Sequence, residues 1–174
     1  DREVPLLPVF VWFYILAFPF WAVGYLLAAR RGKDMFYRFV ATDLTIHFIC
    51  FICFILIPTT NIRPEIPGNT LSEKILALVY SLDGGNSPSN LFPSIHCYVS
   101  WMCWKGVEGS EKVPKWYQRF SLVFAILIII STQVLKQHYI VDAAAALLLV
   151  EFFWRFYQKG QRHKWVVHIF SHKK

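Results

Sequence analysis

Three short polar segments contain the side-chain types that nucleophilic and acid–base chemistry uses. They contain Arg63, the run FPSIH at 92–96, and the stretch 131–142. In the last, His138 and Asp142 are four residues apart, a spacing that places two side chains on one helical face. A carboxylate bonded to one imidazole nitrogen fixes the tautomer and leaves the other nitrogen as a nucleophile. We therefore predict His138 as a nucleophile oriented by Asp142.

The other polar residues provide an acid and an anion-binding environment. Ser94 follows a proline and is suited to cap a helix whose first N–H groups attract anions. His96 follows within the first turn, where it is placed as a general acid. Arg63 offers a forked donor that matches phosphate, and Lys136 adds a second cation beside His138. Together these residues indicate phosphoryl transfer.

Composition shows what must position these residues. Of the 174 residues, 56% are hydrophobic and 18% aromatic, and the mean hydropathy is +0.41. A helix needs roughly 20 apolar residues to cross the hydrocarbon core. Segments 4–29 and 44–62 lack charged side chains, and further apolar stretches occupy 90–104, 116–135 and 137–154. The sequence predicts an all-α integral membrane bundle of about five transmembrane helices.

The net charge of +7 could suggest nucleic-acid binding, but the basic residues are divided unequally between the two sides of the predicted membrane bundle. Five spans place 14 of the 18 lysines and arginines on one side and leave four on the other. The larger group is Arg30, Arg31, Lys33, Arg38, Lys105, Lys112, Lys115, Arg119, Arg155, Lys159, Arg162, Lys164, Lys173 and Lys174. The smaller group is Arg2, Arg63, Lys74 and Lys136. Since positive charge accumulates in cytoplasmic loops, we predict a cytoplasmic C-terminus and polar segments on the non-cytoplasmic side.

The partners predicted from this pattern are membrane lipids, with the basic tail against the anionic inner leaflet and no nucleic acid. The only long loop, 58–90, contains an apolar repeat at helical spacing over 70–82. We expect this segment to form an interfacial helix that acts as a lid. The chain is interpreted as one domain, 1–174. An external N-terminus without a signal sequence leads us to expect a sixth helix upstream of Asp1.

Several other polar residues have simpler explanations. Asp43 and His47 repeat the four-residue spacing, and we favour a structural hydrogen-bonded pair. Glu151 is expected to pair with Arg155. The four cysteines (Cys50, Cys53, Cys97 and Cys103) lie in apolar segments and are expected to pack as small hydrophobes. The tail histidines (His163, His168 and His172) are expected to be solvated. The sequence predicts neither a metal nor another cofactor.

The polar segments resemble the three motifs of the type 2 phosphatidic acid phosphatase (PAP2) superfamily, KxxxxxxRP, PSGH and SRxxxxxHxxxD. Arg63 and Pro64 fit the end of the first motif, and the run 93–96 fits the second. The third motif is matched by Ser131, His138 and Asp142 at the family's spacing. The resemblance covers about 80 residues and implies a bundle of six helices with an external site.

The resemblance also implies residue roles. His138 would become a phosphohistidine, His96 would protonate the leaving alkoxide, and Asp142 would orient His138. Phosphate would be held by Arg63, Ser94 and Ser131. No metal would be needed.

Three positions depart from the family pattern. Leu56 replaces the lysine of the first motif, Ile95 the glycine of the second, and Thr132 the arginine of the third. Two cationic ligands are therefore missing, and Lys136 is a candidate replacement for one. The run KQHYIVD is also similar to the divergent branch that includes sphingolipid phosphotransferases.

Three functions follow as hypotheses. The first is a lipid phosphate phosphatase that passes the phosphoryl group to water. The second keeps the same site but passes the phosphoryl-containing head group to a lipid alcohol. The third is a lipid-binding or transport module without catalysis.

Overall fold

The computed structural model describes residues 3–85 and 88–171, and these residues are helical apart from their connecting segments. A short 3₁₀ turn at Pro8–Phe10 leads into the first helix. The helices are α1 Val11–Ala29, α2 Lys33–Leu56, α3 Leu71–Leu82, α4 Ile95–Val107, α5 Lys115–Val134, α6 Ile140–Gln158 and α7 Lys164–Ser171. Within the described residues, the only β pairing is a single antiparallel bridge between Thr60 and Ser89.

The predicted all-α membrane bundle is confirmed, although its helices differ in length. Three helical segments are long and apolar enough to cross a membrane: Pro8–Ala29, Lys33–Leu56 and Lys115–Val134. By contrast, α4 has 13 residues, about 20 Å at 1.5 Å per residue, which is shorter than the hydrocarbon core. The 19 residues of α6 include three charged side chains. The protein is therefore a membrane-embedded helical bundle in which α4 and α6 differ from typical spans.

The bounds of α2 correct the sequence-based estimate of 44–62. The helix begins eleven residues earlier, at Lys33, because the charged residues of its first turns pair with neighbours instead of ending it. It ends at Leu56, two residues before Pro58, because the residue preceding a proline is disfavoured in the helical conformation.

Short connections join α1 to α2, α4 to α5 and α5 to α6, and the bundle has two distinct ends. At the basic end, the Arg31 guanidinium donates to the carbonyls of Lys105 and Gly106. There Arg38 also donates to the Tyr157 carbonyl at 2.7 Å, which joins the start of α2 to the end of α6. The larger group of cations named above lies at or near this end, except for Lys173 and Lys174, which are outside the described residues. The opposite end, the site end, gathers the three polar segments.

The short helix α4 forms the centre of the core. Tyr98, Met102 and Cys103 of α4 are fully buried among residues of α1, α2, α5 and α6. At Gly24 of α1 the two helices approach so closely that an added Cβ would lie 2.6 Å from the Cys103 sulfur. A larger residue at position 24 would therefore separate α1 from α4.

Two predicted side-chain pairs are confirmed. His47 Nδ1 lies 3.4 Å from Asp43 Oδ1, which also accepts a 2.8 Å hydrogen bond from Tyr25. Glu151 pairs with Arg155 at 3.5 Å and more closely with Lys105, at 2.9 Å. All four cysteines are free thiols.

The helix predicted at 70–82 is observed as α3. Thr70 caps it by accepting from the Glu73 N–H, and the Glu73 carboxylate accepts from the Thr70 N–H, a reciprocal capping box. Its inner face buries Leu76 and Tyr80 against α1, while Leu78 and Leu82 are exposed. This amphipathic helix places the segment that follows it beside Arg63, and the lid role stays a prediction.

Candidate active site

A cavity of about 480 Å³ opens at the site end. It is lined by residues of the α2–α3 connection, the end of α5 and the α5–α6 turn: Asn61, Ile62, Arg63, Pro64, Gln133, Lys136, His138 and Tyr139. Three of the seven residues predicted for the site, Arg63, Lys136 and His138, therefore meet at one cavity. The other four lie behind this surface.

His138 is held by the main chain. Its Nδ1 lies 3.0 Å from the Leu91 carbonyl oxygen, and that oxygen can only accept a hydrogen bond. The proton is therefore on Nδ1, and Nε2 carries the lone pair. Only about a tenth of the side chain is exposed. This geometry leaves Nε2 without a main-chain partner, and its role as the nucleophile stays a prediction.

The relation of Asp142 to His138 differs from the helical pair that the spacing predicted. His138 precedes α6, which begins at Ile140 after Tyr139 in an extended conformation. Asp142 Oδ2 accepts from the Tyr139 N–H at 2.8 Å and lies 3.5 Å from His138 Nδ1, which is long for a hydrogen bond. The prediction of one shared helical face was wrong because His138 lies outside α6. The Asp142 carboxylate instead caps the start of that helix. Asp142 still holds the adjoining backbone in place.

His96 lies behind His138 in an aromatic enclosure. Its ring stacks on Tyr14 with centroids 4.3 Å apart and lies near Trp21 and Phe18. The ring centroids of His96 and His138 are 6.2 Å apart. His96 Nε2 is buried and has no hydrogen-bond partner among the described residues.

Arg63 is buried and heavily bonded. Its Nη1 donates to the carbonyls of Asp83, at 2.8 Å, and Gly85, at 3.0 Å. Its Nη2 donates to the Asp83 carboxylate at 2.5 Å and to Gln137 Oε1. The guanidinium also lies 4.6 Å from the centre of the Tyr80 ring. An anion in the cavity would therefore meet an arginine that already has an acidic partner.

Lys136 occupies the turn between α5 and α6. Its φ of 53° is in the left-handed region, and its carbonyl accepts from Asn61 at 2.8 Å. Its Nζ donates to the Val4 carbonyl. The lysine thus links the turn that carries His138 to the N-terminal segment while lining the cavity.

The predicted serines are buried and bonded locally. Ser94 caps α4 as expected, with its Oγ accepting from the Cys97 N–H at 3.3 Å. Ser131 donates to the Ile128 carbonyl at 2.6 Å within α5. Thr132 similarly donates to Ile129 and is fully buried. In this arrangement neither serine hydroxyl lines the cavity, and their phosphate-binding roles stay predictions.

Several residues of the site were not singled out from the sequence. The Leu91 carbonyl gives no sequence signal, because every residue carries one. Asn61 and Tyr139 form a 3.0 Å hydrogen bond across the cavity wall. Asp83 and Gln137 could have been suspected, because both are polar residues near the predicted motifs and Arg63 needs partners when buried.

Unpartnered polar atoms are concentrated here. Seven buried side-chain nitrogen or oxygen atoms of the described residues have no hydrogen-bond partner. Four of them lie at or beside the cavity: Arg63 Nε, His96 Nε2, Gln133 Oε1 and Gln137 Nε2. A buried unsatisfied polar group costs about 1–3 kcal/mol. The three nitrogens among these four atoms can act as donors, so the site is suited to an anionic ligand.

The family model described as PAP2 superfamily matches residues 2–155. Comparison with curated proteins and with solved structures gave no match. Because the family match covers most of the chain, the resemblance drawn from the three motifs is confirmed, and this protein belongs to the PAP2 superfamily.

Proposed function

We propose that the protein is a lipid phosphate phosphatase that works through a phosphohistidine at His138. The observation that carries this proposal is the hydrogen bond from His138 Nδ1 to Leu91, which directs the nucleophilic Nε2 away from its main-chain anchor. Family membership and the unpartnered donors around the cavity support it.

The proposed reaction has two steps. His138 Nε2 attacks the phosphorus, the bond from phosphorus to the lipid oxygen breaks, and His96 gives that oxygen a proton. Water then attacks the phosphorus of the phosphohistidine and gives a proton to His96, the bond from phosphorus to His138 Nε2 breaks, and inorganic phosphate leaves. Arg63 and Lys136 offset the charge on the phosphoryl oxygens, where electrostatic stabilisation contributes most in such reactions.

A lipid substrate fits the surroundings of the cavity. Ile62 lines the cavity and is 87% exposed, and Leu71 and Leu82 of α3 are also exposed. These exposed apolar side chains are available to contact the hydrocarbon tail of a lipid. A lipid whose phosphate lies in the cavity can therefore keep its tail in the membrane.

A second candidate function, transfer to a lipid alcohol, is favoured by a nearby apolar groove. The groove has a volume of about 400 Å³ and is lined by Ile49, Cys53, Phe92, Pro93, Ala145, Leu148, Leu149 and Phe152. Phe92 and Pro93 lie between Leu91, which holds His138, and Ser94. A hydrocarbon chain in this groove would bring a second lipid close to the phosphohistidine.

An assay of the purified full chain separates these functions. A panel of lipid phosphates would be incubated in detergent with a divalent-metal chelator, with and without a lipid alcohol. Phosphate release without alcohol supports the phosphatase, whereas a phosphorylated alcohol formed at the expense of phosphate supports the transferase. Lipid binding without turnover for every lipid tested would instead support the binding module.

The proposal places the site on the non-cytoplasmic side of the cell membrane and the C-terminus in the cytoplasm, because the cations concentrate at the basic end. A cysteine introduced at the exposed Asn69 should react with a membrane-impermeant maleimide on intact cells, and one at Lys159 should not. A permeant maleimide, which should label both, is the control. If only Lys159→Cys were labelled by the impermeant maleimide, the orientation would be the opposite of the one proposed.

Lys136 is expected to stabilise the transferring phosphoryl group. Lys136→Met keeps the length of the side chain but removes its charge, so kcat/KM should fall roughly 10²–10³-fold, as when one oxyanion donor is lost. Lys136→Arg should retain most activity. Lys74→Met, which removes an exposed cation on α3 outside the cavity, is the matched control. Full activity of Lys136→Met would show that Lys136 does not act on the phosphoryl group and only links the turn to Val4.

A further inference from the structure

A second cavity, of about 430 Å³, lies at the basic end, across the bundle from the candidate active site. We call it the basic-end pocket, and it is lined by Lys33, Asp34, Tyr37, His163, Lys164, Val167 and His168. Lys33 and Lys164 are the first residues of α2 and α7. The pocket therefore lies between the N-termini of two helices, each of which carries positive potential and N–H groups without intrahelical partners.

His163 provides independent evidence that the pocket takes a ligand. Only 5% of its side-chain surface is exposed, so the expectation that His163 is solvated was wrong, and it lines the pocket because it packs where α7 meets the start of α2. Its Nε2 lies 2.8 Å from Asp34 Oδ1, whereas its Nδ1 is buried without a hydrogen-bond partner. A protonated imidazole donates from both nitrogens, so an anion in the pocket would complete the bonding of His163.

The one carboxylate in the pocket is already neutralised. Asp34 Oδ1 is paired with His163, and Oδ2 accepts from Arg38 Nε at 2.7 Å. Lys33 and Lys164 are exposed, and Tyr37 adds a hydroxyl. The pocket thus presents two lysines, a histidine and two helix N-termini to one occupant, and this combination is suited to a phosphate group.

The form of α7 identifies the source of that phosphate. Trp165 and Ile169 are one turn apart and exposed, and Phe170 beside them is also exposed. Val166, on the opposite side, is fully buried against Ala41 and Tyr157. An exposed apolar surface on a helix with basic residues is typical of a helix that lies in the membrane interface. The pocket at its start is then at the depth of lipid head groups.

We infer that the basic-end pocket binds the phosphate of an anionic phospholipid from the leaflet at the basic end. The bound lipid would join α7 to the first turn of α2. This site is separate from the candidate active site and does not depend on turnover.

The first test measures lipid affinity by the lipid-dependent rise in Tm of the purified full chain in neutral detergent. Dioleoyl phosphatidylglycerol is the probe and dioleoyl phosphatidylcholine the neutral reference. Each lysine near an anionic lipid surface contributes about a factor of five, so Lys33→Gln with Lys164→Gln should weaken phosphatidylglycerol binding roughly 25-fold. Lys112→Gln with Lys115→Gln removes the same charge from exposed positions at the same end and should leave it unchanged.

A second variant tests His163 without disturbing Asp34. The amide nitrogen of His163→Gln can replace Nε2 as the donor to Asp34, but nothing replaces Nδ1. This variant should keep the lipid-free Tm of the parent and bind phosphatidylglycerol more weakly.

Three results would overturn the site. Equal weakening in both double variants would show a general effect of surface charge, and equal binding of phosphatidylcholine would show that charge is not recognised. Displacement of phosphatidylglycerol by millimolar inorganic phosphate would show that a free anion, rather than a lipid, is the ligand.

Discussion

His138→Asn is expected to abolish turnover, with kcat lower by roughly 10⁴-fold or more, the scale seen when a catalytic nucleophile or its base is removed. The asparagine amide N–H occupies the position of Nδ1 and can still donate to the Leu91 carbonyl, so the turn between α5 and α6 should keep its conformation. No reactive lone pair replaces Nε2. The parent, quenched during turnover of a ³²P-labelled lipid phosphate, should carry an acid-labile, alkali-stable label that His138→Asn lacks.

The chain offers a matched control for this experiment. His47 is also four positions from an aspartate, because it follows Asp43 in α2. Its partners, Asp43 and Tyr98, lie within the bundle and away from the cavity. His47→Asn should therefore retain both the covalent label and turnover. Loss of the label in His47→Asn, or its persistence in His138→Asn, would contradict the assignment of the nucleophile.

The second large effect concerns His96. His96→Phe keeps an aromatic ring against Tyr14 and Trp21 but cannot supply a proton. Hydrolysis of an alkyl lipid phosphate should fall by about 10²–10⁴-fold, the usual contribution of general acid catalysis. An aryl phosphate with an acidic phenol should be affected far less, because its leaving group needs little protonation.

The comparison of the two leaving groups decides the role of His96. A burst of covalent label from the aryl phosphate would show that His96→Phe still forms the phosphoenzyme. The same loss with both substrates would contradict the acid role and make His96 a residue that positions His138 through packing.

The sequence predicted the architecture where the physical signal is local and strong. Charge-free apolar runs gave the membrane helices, and the repeat of leucines and other apolar residues gave α3. The three polar segments were predicted to meet because alternating spans place them on the same side of the membrane. Ser94 capped α4 as expected, since its oxygen needs only an N–H three residues ahead.

What could not be predicted depends on tertiary contacts. The spacing of His138 and Asp142 is compatible with a helix, but the chain reverses at Lys136 and α6 starts after His138. The bond to the Leu91 carbonyl crosses 47 residues and uses a backbone atom. Similarly, the Arg63 side chain matches phosphate geometry, yet only the fold shows that Asp83 reaches it.

The ion pair between Arg63 and Asp83 has a consequence for product inhibition. In the proposed mechanism, any phosphate that approaches Arg63 must compete with the Asp83 carboxylate, which the end of α3 holds 2.5 Å from the guanidinium and therefore at a high effective concentration. A lipid substrate can meet this competition with the binding energy of its tail, whereas released inorganic phosphate has no tail. The carboxylate thus acts as a built-in competitor that weakens retention of the product more than capture of the substrate, and it favours clearance of the site after each turnover.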